Sequence, residues 1–503
     1  MLTSNRRDFK ISMKELERYR SIVDDFSAFC EVSKRPLPLA IWRNSLRVSA
    51  GEFAAWFGEW NPQRMDGPRA VSWADLVYTS PSADSIPFVA AYLSGLLHIQ
   101  EAISMLPVIL LDPQPSDRVL DLCAAPGNKT ASIAVRMNAG GTVVANDLSR
   151  NRLGVVRTTI DRLGLTNVVL TSHDASSYPK AAGMYDRILV DVPCSCEGTS
   201  RKHWDVLSRT TDSFRERLIN RQKLILERAL KLCKPGGRVV YSTCTYAPEE
   251  CEGVVASVLE STIIGRSFSI LRLEVPELMS ARGLARWNGV QYPSEMSRAF
   301  RVWPHQNDTG GFFAVALHRD EKGSELPVEP LDTAPEIRVA SLIPEELEHF
   351  RIPPDSLNGY RVHRVSSKYD SIEATSVVAP PQKMCFSRGV RAINRKGKPN
   401  RLSTAGALLL GHLAHANRYS VSCPELNAYL SRRRIEARAG EMDHAGVVLV
   451  SHCGKTMGRG VIRRFDHSNL VLESHFPRVW AGTQVASRIE NIHDIRAVST
   501  PSF

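Results

Sequence analysis

Short apolar runs alternate with helix-compatible segments through the middle of the chain. Each apolar run ends at a polar or turn-forming residue, a pattern typical of buried strands. The predicted strands cover residues 119–122, 142–145, 168–171, 187–190 and 238–241. Strands that alternate with helices in this way predict an α/β protein with a doubly wound parallel sheet, a Rossmann-like fold.

The hydrophobic pattern differs on either side of this region. Before it, the sequence predicts a charged helix over residues 13–29, a strand over 40–48 that carries Arg43 and Arg47, and an apolar helix over 103–111. After it come an amphipathic helix over 212–233, a buried strand over 310–317 and a proline-rich acidic stretch. Late glycines after residue 446 suit tight turns of a small β-barrel. We therefore predict an N-terminal α/β region (1–103), an α/β domain (104–320), a linker (321–336) and a C-terminal α+β or β-barrel domain (337–503).

The net charge of the chain indicates the type of partner it binds. The chain has a formal net charge of +11 and a pI of about 9.2, which favours an anionic ligand without identifying it. Two basic runs in the C-terminal region favour nucleic acid further, although such runs are usually solvated surface. They comprise Arg388, Arg391, Arg395, Lys396, Lys398 and Arg401, and then Arg432, Arg433 and Arg434.

The cysteines and termini indicate a cellular setting. The ten cysteines have no regular spacing, and neither a signal-peptide-like start nor a membrane-spanning apolar segment is found. We expect a cytoplasmic protein, a monomer, with no membrane association. There is no CxxC pair, and the nearest approach is Cys194-x-Cys196, so no metal site is predicted.

The stretch from Val119 to Thr130 is the first candidate for chemistry. Its strand stops at an Ala-Pro-Gly-Asn turn before a helix, an arrangement that brings backbone N–H groups against a ligand or simply joins a strand to a helix. Acidic residues recur in or after four predicted strand ends, which favours a ligand site at that edge of the sheet. These residues are Asp121, Asp147, Asp174 and Asp191. Asp147 lies about 20 residues beyond Gly127, the spacing of a ribose-binding acid, and the lack of GxGxxG favours a nucleoside ligand such as S-adenosylmethionine.

Two cysteines follow neighbouring strand ends. Cys194 follows Asp191, and Cys244 follows the next strand, so both thiols are expected at the same edge of the sheet. Methylation at C5 of a pyrimidine requires such a set, because C5 is not nucleophilic until a thiolate adds to C6 and an acid stabilises the ring at N3. A free thiol is only a few per cent ionised at neutral pH, and a cation such as Lys129 would help.

The motifs resemble those of the NOL1/NOP2/Sun family of RNA cytosine-C5 methyltransferases. The similar segments are 120–130, 191–195 and 242–245, with 99–102 and 311–313 in support, and the C-terminal region more loosely resembles the PUA-like domain of bacterial small-subunit rRNA members. The resemblance implies Cys244 as the nucleophile, Cys194 in release of the methylated RNA, and Asp191 and Lys129 in support of the activated base. The residues implied for S-adenosylmethionine are Cys123, Ala124, Ala125, Pro126, Gly127, Asn128, Lys129, Asp147, Asp174 and Asp191.

The chain departs from the family pattern at two positions. Asn128 and Cys196 stand where the family usually has glycine. Asparagine tolerates the left-handed backbone better than most residues, so we expect the Gly127–Asn128 loop to be retained. Cys196 is expected to alter the loop that follows Cys194.

Several functions compete with methylation of rRNA. One is methylation of tRNA, and another is DNA cytosine-C5 methylation with Cys194 as the nucleophile, which Cys244 and the flanking domains disfavour. A non-catalytic RNA-binding assembly factor would not need both cysteines. Adenine N-methylation would want a Pro-Pro-aromatic turn in place of Pro193-Cys194-Ser195.

Overall fold

A computed structural model describes residues 15–60, 68–80, 86–321, 337–364, 366–395, 399–438, 445–465 and 470–477 of the chain. Most of the predicted linker, residues 322–336, lies outside the described residues. Lys396 and Lys398 of the first basic run lie outside them as well.

The N-terminal region forms a four-stranded antiparallel sheet in the order β2-β3-β1-β4. Its elements are α1 (Phe26–Ser33), β1 (Leu39–Arg43), α2 (Ala50–Trp60), β2 (Arg69–Ala70), β3 (Val77–Ser80), α3 (Ile86–Leu93) and β4 (Leu97–Ile99). The predicted helix over 13–29 is wrong, because α1 begins only after Asp25, whose carboxylate accepts a hydrogen bond from Ala28 N. The predicted strand over 40–48 ends at Arg43, since the next residue, Asn44, turns the chain by donating to Gly95 O.

The central region contains the predicted parallel strands in the order β9-β8-β5-β6-β7, which confirms the Rossmann-like α/β class. The antiparallel strands β15 and β14 extend this sheet beyond β9. The elements are α4 (Leu106–Leu111), β5 (Arg118–Asp121), α5 (Asn128–Arg136), β6 (Thr142–Asn146), α6 (Arg150–Leu163), β7 (Val168–Thr171), β8 (Tyr185–Asp191), α7 (Val206–Arg209), α8 (Asp212–Leu232), β9 (Cys233–Thr243), α9 (Glu252–Ser261), β10 (Phe268–Ile270), β11 (Ala281–Arg282), β12 (Arg286–Trp287), β13 (Val290–Gln291), β14 (Phe300–Val302), α10 (Pro304–Asn307) and β15 (Phe312–Arg319).

The parallel strands are buried on both faces, which explains their continuous apolar runs. Successive side chains point to opposite faces of a strand. Val119 and Val143 therefore pack in one core with α5 and α6, while Leu120 and Val144 pack in the other with α8 and α9. Helices on both faces leave the carboxyl ends of the strands as the edge where loops converge.

The C-terminal region forms two five-stranded sheets, in the orders β16-β17-β18-β20-β21 and β22-β24-β25-β26-β23. Its elements are β16 (Ile337–Arg338), α11 (Pro344–Phe350), β17 (Tyr360–Arg364), β18 (Tyr369–Ala374), β19 (Cys385–Arg388), β20 (Val390–Asn394), β21 (Arg401–Leu402), α12 (Thr404–Leu410), β22 (Arg418–Ser420), α13 (Cys423–Leu430), β23 (Ile435–Glu436), β24 (Gly446–His452), β25 (Lys455–Arg464) and β26 (Leu470–Ser474). The α+β class agrees with the sequence.

One C-terminal strand belongs to the central sheet, because β19 pairs antiparallel with β7 at its edge. The second C-terminal sheet packs against the N-terminal region through a shared apolar core. Polar contacts join the same two regions, including the Lys455–Glu52 ion pair at 2.7 Å. The domain boundaries stay a prediction. Among the described residues, no helix has the length and apolar character needed to cross a membrane.

Arg388 and Arg391 of the first basic run form ion pairs with buried carboxylates of the protein. Arg388 is buried and donates to both carboxylate oxygens of Glu373, at 2.9 and 2.6 Å. Arg391 pairs with Asp161 of α6 at 2.6 Å. Arg388 thus ties β19 to β18, and Arg391 ties β20 to α6 of the central region. Because Arg388 is buried against a carboxylate, it is not available to nucleic acid, while contact by the rest of the run stays a prediction.

Candidate active site

The predicted site residues all lie at the carboxyl edge of the parallel strands. They are Cys123, Ala124, Ala125, Pro126 and Gly127 in the turn after β5, Asn128 and Lys129 at the start of α5, Asp147 after β6, Asp174 after β7, Asp191 at the end of β8, Cys194 in the loop beyond it, and Cys244 directly after β9. The parallel register brings these ends to one side of the sheet, as the sequence predicted.

The turn after β5 depends on glycine at position 127. Gly127 has φ +102°, and a Cβ there would lie only 3.0 Å from Val156 Cγ1 and 3.2 Å from its Cα. A side chain would therefore be strained by the backbone and would press on α6. The turn is also tied to the next strand end, because Ala124 N donates to Asn146 O at 2.7 Å.

Asn128 does not need the left-handed backbone that the sequence analysis considered for it. The left-handed backbone falls on Gly127, and Asn128 is the first residue of α5. Its Oδ1 lies 2.9 Å from Nε2 of buried His98, whose other ring nitrogen lies 2.5 Å from an Arg162 guanidinium nitrogen. Burial lowers the pKa of His98 to about 3, so the ring is neutral. Since Arg162 can only donate, the ring proton is on Nε2 and faces Asn128.

The carboxylates after β6 and β7 are held by arginines. Asp147 is buried, accepts from Ser149 N at 2.9 Å and pairs with Arg152 at 3.1 Å. Arg152 also donates to Ala125 O at 2.8 Å, so it joins this strand end to the turn after β5. Asp174 caps a 3₁₀ turn and pairs with Arg221 of α8 at 3.2 Å.

Asp121, at the end of β5, is buried beneath the turn. Thr130 Oγ1 donates to its Oδ2 at 2.6 Å, while Oδ1 has no hydrogen-bond partner among the described residues. Burial is the main reason that the pKa of Asp121 is raised to about 7, and the neighbouring carboxylate of Asp191 contributes. The side chain is thus poised between neutral and charged forms near neutral pH.

Lys129 and Asp191 form an ion pair across the site. Lys129 Nζ lies 2.6 Å from Asp191 Oδ2, and Ser242 Oγ donates to Oδ1 at 2.7 Å. The ammonium also lies 5.6 Å from the centre of the Phe312 ring, so the late 311–313 segment contributes an aromatic side chain to the site. Burial alone would lower the pKa of Lys129, but the surrounding acidic groups, Asp191 foremost, together raise it. The lysine therefore carries a positive charge at neutral pH.

Cys194 and Cys244 meet with their sulfur atoms 3.5 Å apart. Hydrogen bonds from the thiols of Cys194 and Cys196, followed by the charge of Lys129, lower the pKa of Cys244 well below its usual range. The same contacts, with burial, raise the pKa of Cys194 well above its usual range. Two groups of the same type thus differ in protonation, the arrangement expected when one is a nucleophile and the other a proton donor.

The two cysteine loops are fastened to each other. Ser195 Oγ lies 2.6 Å from Thr245 Oγ1, and Gly198 N donates to Cys244 O at 2.9 Å. Gly311 N donates in turn to Gly198 O, and a Cβ on Gly198 would lie 2.3 Å from Gly311 O. Close backbone contact therefore sets the separation of the two thiols.

Glu250 supports this site, and sequence analysis did not identify it. It is fully buried and accepts from Ser195 N at 3.0 Å and from Gln222 Nε2 at 2.9 Å. Burial raises its pKa. Its position in a run with two other glutamates, Glu249 and Glu252, carries no signal that separates it from surface residues.

Cys196 has φ +60°, the left-handed region that favours glycine. Glycine adopts this backbone conformation without strain, whereas the Cβ atom of a cysteine makes it unfavourable. The loop is nevertheless closed by the hydrogen bond of Thr199 N to Cys196 O at 2.8 Å. Its sulfur lies 4.0 Å from that of Cys194, so the departure adds a third thiol to the site.

Comparison with known proteins identifies similar enzymes. The sequence model of the family described as 16S rRNA methyltransferase RsmB/F matches residues 108–318. A tRNA (cytosine(49)-C(5))-methyltransferase of Pyrococcus abyssi is 32% identical over 313 residues, which cover 62% of this chain and 97% of the relative.

Two further relatives extend the comparison. Ribosomal RNA small subunit methyltransferase F of Escherichia coli is 34% identical over 327 residues, 63% of this chain, and the match spans only 64% of that relative's length. The crystal structure of a methyltransferase homolog protein from Pyrococcus horikoshii superposes with a TM-score of 0.53 at 30% identity, covering 61% of this chain and 95% of that chain.

Proposed function

The chain belongs to the RsmB/F (NOL1/NOP2/Sun) family of RNA cytosine-C5 methyltransferases, and from this we propose that it methylates C5 of a cytosine in ribosomal RNA with Cys244 as the nucleophile. S-adenosylmethionine is the proposed methyl donor. The observation that carries the proposal is the pair of thiols 3.5 Å apart beside the Lys129–Asp191 ion pair.

The turn after β5 fits S-adenosylmethionine. Gly127 keeps the backbone free of a side chain at the start of α5, and the carboxylates of Asp147 and Asp174 stand at the adjacent strand ends as acceptors for hydroxyl and amino groups. Residues 123–129, Asp147, Asp174 and Asp191 would hold the donor. When bound, it supplies an electrophilic methyl group.

The side chains of the site divide the reaction between them. The Cys244 thiolate adds to C6 of the cytosine, so electron density builds on the ring at N3 and at C5. Asp191, held by Lys129 and Ser242, acts as an acid: with a proton taken from Lys129, its carboxyl donates to N3 and neutralises this charge. After C5 has taken the methyl group, Cys194 assists release: its thiol gives a proton to the departing Cys244 sulfur, and the resulting thiolate takes the C5 proton. The C5–C6 double bond forms again as the C6–S bond breaks.

Covalent trapping tests the nucleophile. RNA that contains 5-fluorocytidine has no proton to lose at C5, so the adduct persists after methylation and is detected as a shifted band on a denaturing gel. We expect an adduct with the unmutated chain and with Cys194→Ser, and none with Cys244→Ser. The reverse pattern would assign the nucleophile to Cys194, as in DNA cytosine-C5 methyltransferases. No adduct in any variant, together with no binding of S-adenosylmethionine, would favour a non-catalytic assembly factor.

Transfer RNA is the second candidate substrate, because the relative matched over 97% of its length is a tRNA enzyme. Ribosomal RNA is favoured by the family description and by the relative from Escherichia coli. Mapping 5-methylcytosine in total RNA from cells with and without this protein distinguishes them. The proposal predicts one lost modification in rRNA, and a loss confined to tRNA would replace rRNA as the substrate.

A further inference from the structure

The third thiol of the site has no part in the reaction just proposed. Sequence analysis predicted no metal site, because Cys194-x-Cys196 stands alone in the sequence without a second pair. The fold changes this, since β9 delivers Cys244 to the same point. Among the residues that the structure describes, these three are the only group of at least three His, Cys, Asp or Glu side chains close enough to share one metal ion.

The spacing of the sulfur atoms suits one tetrahedral ion. Cys194 lies 3.5 Å from Cys244 and 4.0 Å from Cys196, and all three sulfur atoms lie within 4.8 Å of one another. A zinc ion with Zn–S bonds of about 2.3 Å separates its sulfur ligands by about 3.8 Å. The thiols therefore need only small side-chain movements to meet a common ion. Soft sulfur ligands select ions of this type over magnesium or calcium.

We propose that Cys194, Cys196 and Cys244 bind one Zn²⁺ ion, with the fourth position of the ion open to water. All three side chains are half-buried, so solvent and a small ion can reach them. Each thiol that coordinates gives up its proton to solvent as its Zn–S bond forms. The nearby Lys129 ammonium offsets the net negative charge of three thiolates on a divalent ion.

The consequence for activity rests on the proposed function. A zinc ion on Cys244 occupies the electron pair that would attack C6, so zinc holds the enzyme in an inactive form until it dissociates. Cys196 is the residue that makes this possible, because the other two thiols alone supply only two ligands. Cys196 thus confers sensitivity to zinc on a site that would otherwise lack the third ligand.

Zinc binding is measured on the full-length chain without RNA or methyl donor. The protein is reduced with a phosphine, freed of it and titrated with Zn²⁺ against a chromophoric chelator of known affinity. We expect one ion per chain, and a loss of affinity of at least roughly 100-fold in Cys196→Gly, since removal even of an outer partner of a ligand costs about 10- to 100-fold. Co²⁺ in place of Zn²⁺ gives a thiolate charge-transfer band that is diminished in the same variant.

Cys453→Gly is the matched control, because Cys453 also has a left-handed backbone, φ +46°, in an exposed turn away from the three thiols. We expect it to bind zinc like the unmutated chain. Equal affinity in Cys196→Gly, loss of binding in Cys453→Gly, or no ion bound by the reduced unmutated chain each overturns the proposal. A thermal melt of each variant establishes that it is folded.

The activity assay separates this proposal from the proposed function. Zinc that binds through Cys196 and also blocks adduct formation supports both. Zinc that binds through Cys196 but leaves methylation unchanged supports the metal site and overturns the inhibition. Covalent trapping with Cys244→Ser, in the absence of zinc, tests the nucleophile separately.

Discussion

Lys129 Nζ lies 2.6 Å from Asp191 Oδ2, so an ion pair joins the start of α5 to the end of β8. The two side chains are 15% and 27% exposed. Because water screens a partly buried pair less than a surface pair, the two charges hold each other in position, and Asp191 favours the charged form of Lys129. The pair stands beside the thiols on which the proposed chemistry depends.

Asp191→Asn is expected to break the Lys129–Asp191 ion pair. The lysine would keep a positive charge with no counter-ion, which we expect to lower the free energy of unfolding by about 1–3 kcal/mol. Methylation should fall at least roughly 100-fold, since an amide cannot pass a proton to the ring at N3. Urea denaturation and single-turnover methyl transfer measure the two effects.

The control is Glu227→Gln on α8, which breaks the exposed Lys231–Glu227 pair at i, i+4. That change should cost less than about 0.5 kcal/mol and leave methyl transfer intact. If Asp191→Asn behaved like this control in both measurements, the ion pair would have no functional role.

Asp121 should make stability depend on pH. Its pKa is raised to about 7 in the folded chain, whereas an unfolded Asp titrates near 3.9. Between these values the folded state keeps a proton that the unfolded state has lost. The contribution of Asp121 to the free energy of unfolding is therefore fully present below about pH 4 and is lost as pH rises through 7. The loss amounts to roughly 4 kcal/mol at most.

Asp121→Asn tests this sign. The amide stays neutral at every pH, so the variant should match the unmutated chain below about pH 4 and exceed it in stability above about pH 8. Urea unfolding at both pH values gives the comparison. Parallel stability profiles for the two proteins would show that Asp121 titrates normally.

The contact of Asn128 with His98 should contribute measurable stability. Asn128→Gly would leave the buried His98 N–H without an acceptor and add backbone freedom at the helix start, a cost of about 1–2 kcal/mol. A double-mutant cycle with His98→Phe isolates the contact, and we expect a coupling of about 1 kcal/mol. Coupling near zero would mean that the two side chains contribute independently.

The basic residues of the C-terminal region should separate into two classes. Arg388→Ala should lower the free energy of unfolding by about 3–5 kcal/mol, because it leaves the buried Glu373 with weakened pairing. Arg433→Ala, at an exposed position, should change stability by less than about 0.5 kcal/mol. Its loss should weaken RNA binding and reduce the salt slope by about 1 if the second run contacts phosphate.

Fluorescence anisotropy with an rRNA fragment at several salt concentrations measures this slope, with urea unfolding in parallel. An unchanged slope for Arg433→Ala would remove the second basic run from the RNA surface. An Arg388→Ala variant with normal stability would contradict the structural role assigned to that pair.

Local patterns were sufficient for much of the central sheet. The predicted strand over 168–171 matches β7, and the amphipathic segment over 212–233 matches α8 within one residue. Both could be predicted because the hydrophobic pattern of neighbouring residues is enough to indicate a buried strand or an amphipathic helix. The motifs around Cys194 and Cys244 could be found for a similar reason: each is short and lies at one strand end. The N-terminal helix was misplaced because its charged residues fit several structures and only the Asp25 cap decides where it starts.

The sequence by itself determined the Rossmann-like class, the strand ends that carry the acids and cysteines, and the resemblance to RNA cytosine-C5 methyltransferases. Only the tertiary structure decided which charges are internal, as for Arg388, and which residues support the site from a distance, as for Glu250 and His98. It also joined Cys196 to Cys244, which lie far apart in the chain. The physical reason is the same in each case. The sequence around a polar side chain does not indicate which distant residue it will contact, and its burial, its ion pairing and its pKa are set only when the fold brings the two groups together.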